Sequence, residues 1–97
     1  MERVISVGSV CRSRAGRDKG QYFIVYGILD DQYVLLVDGK QRTLSKPKRK
    51  KKKHLYAGPD VILELADKIT QGGRLGDDEV RKALRGYMEA RKLNKES

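Results

Sequence analysis

The chain contains no tryptophan, one cysteine, one histidine and one phenylalanine among its 97 residues. A single thiol, Cys11, cannot staple the chain, which fits a reducing compartment. It lies among strand-type residues, where a cysteine serves as a small buried hydrophobe rather than as a nucleophile. No pair of carboxylates sits in an apolar setting that would raise one pKa, and no His or Cys pair recurs at helical spacing for a metal. Gly16 and Gly20 are followed by Gln21, not by the Lys-Ser/Thr of a phosphate-binding P-loop. Catalysis is therefore the least supported class, and neither a cofactor nor a small-molecule substrate is expected. No run of about 18 apolar residues is present to span a membrane. The Met1–Ile5 start breaks off at Ser6-Val7-Gly8, too short for the apolar region of a signal peptide. The expectation is a soluble, cytoplasmic protein. An apolar share of 38% supplies one small core and no large internal cavity.

Acidic residues are also missing from one particular place. The net charge is +9. Residues 1–38 hold five cations and five acids, and residues 60–97 hold eight of each. The whole excess lies in residues 39–59, with nine cations and no acid. A field concentrated in one segment marks a contact surface for a polyanion.

The first half reads as strands. Val4, Ile5, Val7 and Val10 lead to the pentapeptide Gly16-Arg17-Asp18-Lys19-Gly20, and the strand-rich stretch Gln21–Leu29 follows it. The two glycines permit a tight turn, with two cations and a carboxylate presented at its tip. Asp30-Asp31-Gln32 signals a turn before the strand Tyr33–Val37. Asp38-Gly39 suits a second turn, with Arg42-Thr43-Leu44 as a short strand after it. Such short strands fit a small barrel better than a parallel sheet. The run Lys46-Pro47-Lys48-Arg49-Lys50-Lys51-Lys52-Lys53 would be cationic on both faces of a strand, so it reads as a flexible connector or an exposed segment ordered by its ligand. Leu55 and Tyr56 resume apolar character, as a last strand would.

The second half reads as helices. Pro59 and Asp60 signal a start before Val61, Ile62, Leu65, Ala66 and Ile69, which share a helical face ending at Gly72-Gly73. Asp77-Asp78-Glu79 suits a second helix N-terminus. Val80, Ala83, Leu84, Tyr87 and Met88 form its apolar stripe, beside which Arg81, Arg85 and Lys92 share one strip that either extends a polyanion-binding surface or, as the simpler assignment, solubilises the helix. Leu93–Ser97 are expected to fray. The organisation is a barrel with its polybasic segment over residues 1–58 and a helical appendage over 59–97.

Val10, Arg14, Gly16, Asp18, Lys19, Gly20, Ile24, Val25 and the Tyr33–Val37 strand together resemble a KOW motif, which occurs in ribosomal proteins and transcription elongation factors. The resemblance implies a small antiparallel SH3-like barrel whose first hairpin loop approaches RNA. It carries Arg14, Arg17 and Lys19 over as RNA contacts and gives Gly16 the turn-forming role. Gly39 through Leu55, with Lys46-Pro47-Lys48 and Lys53-His54-Leu55, is similar to bacterial KOW-domain RNA-binding proteins. These in turn are similar to the archaeal and eukaryotic large-subunit ribosomal protein L fourteen-e.

Three functions compete. The leading one is a non-enzymatic, ribosome-associated protein that binds large-subunit rRNA. Arg14, Gly16, Arg17 and Lys19 would set register, while Lys46, Lys48, Arg49, Lys50, Lys51, Lys52, Lys53 and His54 would supply grip. His54 has a packing or hydrogen-bonding role as its simpler assignment. Of Tyr22, Tyr26, Tyr33 and Tyr56, one or two are expected to face a ligand, the rest being half-buried core. The second function is a KOW-type protein-interaction module of the transcription or translation machinery, docking through the helices. The third treats Pro47–Lys53 as a nuclear sorting or anionic-lipid patch, and it lacks an apolar anchor.

Overall fold

The structure, a computed structural model, describes residues 5–96. Met1–Val4 and Ser97 lie outside it, as do the side chains of Pro59 and of residues 92–96, so the expectations placed on Val4, Pro59 and Lys92 fall there. Five strands, β1 (Ser9–Ser13), β2 (Tyr22–Ile28), β3 (Tyr33–Val37), β4 (Lys48–Lys51) and β5 (Leu55–Val61), precede two helices, α1 (Leu63–Thr70) and α2 (Asp77–Glu96). The strands form one antiparallel sheet in the order β4-β3-β2-β1-β5.

That order forces the sheet to curl. In a flat sheet β4 and β5 would lie four strand spacings apart, about 19 Å. They are joined by a single 3₁₀ turn, Lys52–His54. Even fully extended, the steps from Lys51 to Leu55 span at most about 14 Å. The two edge strands must therefore approach each other, and the sheet closes into a half-barrel. Register shifts at Val25/Gly27 in β2 and between Ser9 and Cys11 in β1 add the local bend that closure requires.

Alternation along the strands divides the core in two. Cys11, Phe23, Val25, Val34, Leu36 and Leu55 fill the concave interior. Val10, Ile24 and Val37 point the other way, where Leu65 of α1 and Val80 and Leu84 of α2 cover them. The helices thus fold back onto the convex face and share its core. Met88, placed by its spacing in the apolar stripe of α2, is instead 46% exposed. The two helices are also joined by a Lys68–Glu79 ion pair at their surface.

Four local expectations are corrected. Arg42–Leu44 forms no strand, because side chains of the turn and of α2, and the turn backbone, take up its backbone groups. The Asp38 carboxylate accepts the Lys40 and Arg42 N–H groups at 2.8 and 2.9 Å, and Asp77 of α2 accepts the Leu44 N–H at 2.8 Å. The polybasic run is no flexible connector, since Lys48–Lys51 pairs with β3 as an edge strand. The first helix starts at Leu63 rather than after Pro59-Asp60, because β5 keeps pairing with β1 as far as Ser9↔Val61. A proline is tolerated there because β5 is an edge. Finally, α2 continues to Glu96, past the Leu93 at which fraying was expected.

The loop after β3 meets α2 at Gly39. Its φ is +77°, and a Cβ there would lie 2.3 Å from the Asp77 carbonyl oxygen and 2.9 Å from the Arg81 nitrogen, both backbone. Gly39→Ala is expected to cost about 2–5 kcal/mol, the sum of left-handed strain and overpacking. Gly20→Ala, at φ +90° with nothing within 4 Å, carries the strain alone, about 1–2 kcal/mol. Urea unfolding of the two variants measures the difference, and equal losses would show that the Gly39 contact is not tight.

Candidate nucleic-acid interface

The β1–β2 hairpin loop is closed at its base by Ser13 N–H to Gln21 O (2.9 Å) and Gly20 N–H to Ser13 O (2.7 Å). Gly16 and Gly20 sit at φ +86° and +90°, as the spacing predicted. The tip differs from expectation in one respect. Asp18 does not face solvent; it is 8% exposed and turned back toward β4. Its carboxylate accepts the Ser13 hydroxyl at 2.6 Å, the Lys50 ammonium at 3.0 Å, and the Lys48 ammonium. Lys50 also donates to the Ala15 carbonyl at 2.9 Å. Burial by itself would push this carboxyl up, but the hydrogen bonds from Lys48, Ser13 and Lys50 outweigh it and hold it well below the usual carboxylate range.

This cluster explains how a lysine-rich segment becomes a strand. Lys48 and Lys50 pair with Leu36 and Val34, on the concave side, where both bond to the Asp18 carboxylate. Arg49 and Lys51 pair with Leu35 and Tyr33 on the convex side, and their charges sit 4.0 and 5.8 Å from the Tyr33 ring centroid. Asp30 holds the neighbouring hairpin by accepting the Gln32 and Tyr33 N–H groups, each at 2.8 Å. Those backbone donors, against a smaller effect of burial, lower its pKa, with further help from Arg49 and Lys52.

The 3₁₀ turn links this edge to the other one. Lys52 N–H donates to Gln32 O at 2.7 Å, and Arg14 N–H donates to His54 O at 2.9 Å. On the β5 side, Arg12 is paired in register with Tyr56. The Arg12 and Arg14 guanidinium carbons lie 5.0 and 4.7 Å from the Tyr56 ring centroid. The hairpin loop, β4, the 3₁₀ turn and the start of β5 are therefore one continuous surface.

The predicted residues divide on it. Arg14, Gly16, Arg17, Lys19, Lys46, Arg49 and Lys53 are exposed; Lys51, Lys52 and His54 are half-buried. Lys48 is half-buried and Lys50 buried, both committed to Asp18. Tyr33 and Tyr56 face outward with cations over their rings, whereas Tyr22 and Tyr26 pack beneath the helices, Tyr22 edge-on to Tyr87 at 6.2 Å. Arg12 escaped the sequence reading. Its partner Tyr56 lies in the last strand, and only the closure of first strand on last brings them together. On α2, Arg81 does more than solubilise the helix: it donates to the Gly39 carbonyl at 2.6 Å and anchors that loop.

Burial pushes the Cys11 thiol up to about 11, so it is no thiolate at neutral pH. Among the described residues no group of three His, Cys, Asp or Glu side chains is placed to hold a metal, and no helix is long and apolar enough to cross a membrane.

No family model matches the chain. It is similar to large ribosomal subunit protein eL14 of Desulfurococcus amylolyticus, 35% identical over 80 residues, covering 82% of this chain and 76% of the relative. The same protein of Staphylothermus marinus is 31% identical with the same coverage. That of Aeropyrum pernix is 31% identical over 84 residues, covering 87% of this chain and 77% of the relative. These relatives are archaeal, whereas the resemblance read from the sequence pointed to a bacterial branch. With this identity over most of both chains, the protein belongs to the family of large ribosomal subunit protein eL14.

Proposed function

We propose that this protein is a non-enzymatic, cytoplasmic, ribosome-associated protein that binds large-subunit rRNA. The observation that carries this reading is the gathering of the excess charge onto one ordered face. The hairpin loop that carries Arg14, Arg17 and Lys19 is tied to the edge strand that carries Arg49 and Lys51 by Asp18–Lys50, and to the Lys52–His54 turn by Arg14 N–H to His54 O. Relatives named as large-subunit proteins support the same assignment. The curled sheet is compatible with an SH3-like barrel of the KOW type, and residues 1–58 act as the binding unit, braced by 59–97.

The roles within the face are unequal. Exposed cations contribute affinity by releasing counterions from phosphates. Lys48 and Lys50 spend their charge on Asp18, so they hold the loop against β4 while Lys46, Arg49 and Lys51–Lys53 supply grip. His54 contributes its carbonyl to the frame. Filter binding at 0.15 M salt tests the reading, comparing a large-subunit rRNA transcript with random duplex DNA of equal length. The expected result is at least a tenfold preference for the rRNA; equal binding would overturn it.

A second reading, a protein-docking module, is favoured by one feature. A groove of about 910 Å³ runs between α2 and the 38–41 loop, walled by Tyr22, Leu84 and Met88. If a protein of the translation machinery seats there, neutralising Lys51–Lys53 leaves its capture intact, whereas the RNA reading requires capture to fail.

A further inference from the structure

Two tyrosines at the basic surface, Tyr33 half-buried and Tyr56 exposed, each carry a pair of cations. Tyr33 lies under Arg49 and Lys51, and Tyr56, 49% exposed, lies beside Arg12 and Arg14. Four of the five cation–ring approaches among the described residues fall on these two rings, the fifth being Arg91 over Tyr87. Their crowding onto two rings of one face calls for a cause.

Phosphate binding alone does not supply it. A phosphate needs only a cation, and a lysine or arginine free in solvent reaches it with no aromatic support. Arg12 and Arg14 are drawn to one ring, which places two like charges near each other, and neither is among the ion pairs of the described residues. What the arrangement offers instead is flat π surface and guanidinium planes at the surface, with spare positive charge alongside. That matches an unstacked nucleobase with its own phosphates, because bases stack on aromatic rings and on guanidinium planes alike.

We infer that Tyr56 with Arg12 and Arg14, and Tyr33 with Arg49, are stacking stations for nucleobases turned out of a helix. The ligand they select is RNA with a bulge, loop or frayed end, not a regular duplex. This rests on the RNA-binding reading above and narrows it. A regular A-form helix keeps its base faces within the stack, so it has no face to place on either ring. An unstacked base takes the place of one guanidinium on the ring, and the displaced arginine pairs with the flanking phosphate. The exchange is favourable in magnitude. A cation–ring pair at an exposed site shifts an equilibrium about two- to fivefold, whereas a stacked base shifts it about five- to 150-fold. Along the chain the 3₁₀ turn with Lys52 and Lys53 separates Lys51, at the Tyr33 ring, from Tyr56, and it supplies cations for the backbone joining two such bases.

The test uses the full chain and two hairpin RNAs, identical except that one carries a two-nucleotide bulge containing 2-aminopurine. Binding of the wild type, Tyr56→Ala, Tyr56→Phe and Tyr33→Ala is measured at one salt concentration, with circular dichroism as the folding control. The wild type is expected to prefer the bulged RNA and to change the 2-aminopurine fluorescence. Tyr56→Ala should lose at least fivefold of that preference, while Tyr56→Phe, which keeps the ring, should retain it. If Tyr33→Ala unfolds, the solvent-facing Tyr56 pair still decides the question. Equal binding of both RNAs by the wild type, or loss of preference in Tyr56→Phe, overturns the stacking stations and leaves RNA binding standing. Failure of the wild type to bind either RNA overturns the RNA-binding reading itself.

Discussion

Asp18→Ala is expected to cost about 3 kcal/mol of folding stability, the low end of the range for removing one partner of a buried ion pair. For a chain of this size that is roughly 12–24 °C in Tm. The cause is specific to the edge strand. Lys50 keeps only 9% of its side chain exposed and loses the carboxylate it pairs with, retaining the Ala15 carbonyl. Lys48, at 23%, has room to turn toward solvent, which is why the low end applies. If an orphaned charge is the reason, Asp18→Ala with Lys50→Met should recover part of the loss, because the methionine fills the space without the charge. A loss under about 1 kcal/mol in urea unfolding would mean the lysines are solvated and β4 is held by other forces. The same carboxyl has a pH signature. Its folded-state pKa is depressed, and an unfolded aspartate titrates near 3.9. Its contribution is complete above that value and declines as pH falls below it. Asp18→Asn should flatten this decline.

Neutralising the cations of the same segment that do not bond to Asp18 should remove binding at a much smaller cost to folding, the loss of the ring contacts with Tyr33. Replacing Arg49, Lys51, Lys52 and Lys53 together with glutamine is expected to weaken RNA affinity by about 10²–10³-fold at 0.15 M salt. It should also reduce the slope of log K against log salt by roughly 3, at 0.7–0.9 for each phosphate that is no longer neutralised. Lys48→Gln with Lys50→Gln should do the reverse, lowering stability while changing the salt slope by no more than about 1, since Asp18 already offsets one of the two charges. Titrations across a salt series separate the two sets. If both variants changed the slope equally, the division between structural and ligand-facing lysines would be wrong.

That division marks the limit of what the sequence conveys. Strands rich in β-branched and aromatic residues between turn signals were legible: Tyr33–Val37 matches β3, and the glycine loop lies between β1 and β2 as read. The helical stripes of Val80, Ala83, Leu84 and Tyr87 were legible through their period of 3.6. The run Lys46–Lys53 was not, because a strand of lysines is unfavourable by any local measure. It becomes favourable only through Asp18, some 30 residues earlier, and through Tyr33, neither of which announces the pairing. Arg12 and Tyr56 were opaque together for a related reason, being brought side by side by closure of the sheet. Helix onset after Pro59-Asp60 was misplaced because proline at an edge strand and proline before a helix look alike in sequence.

The measurement that tests the central claim most directly is ultraviolet crosslinking in cells, followed by sequencing of the bound RNA and mass spectrometry of the crosslinked peptides. The account predicts that RNA reads concentrate in one segment of large-subunit rRNA and that crosslinks fall at Tyr33, Tyr56 and the peptide from Arg49 to His54. Recovery of protein partners with no enrichment of rRNA, or crosslinks confined to α2, would contradict it.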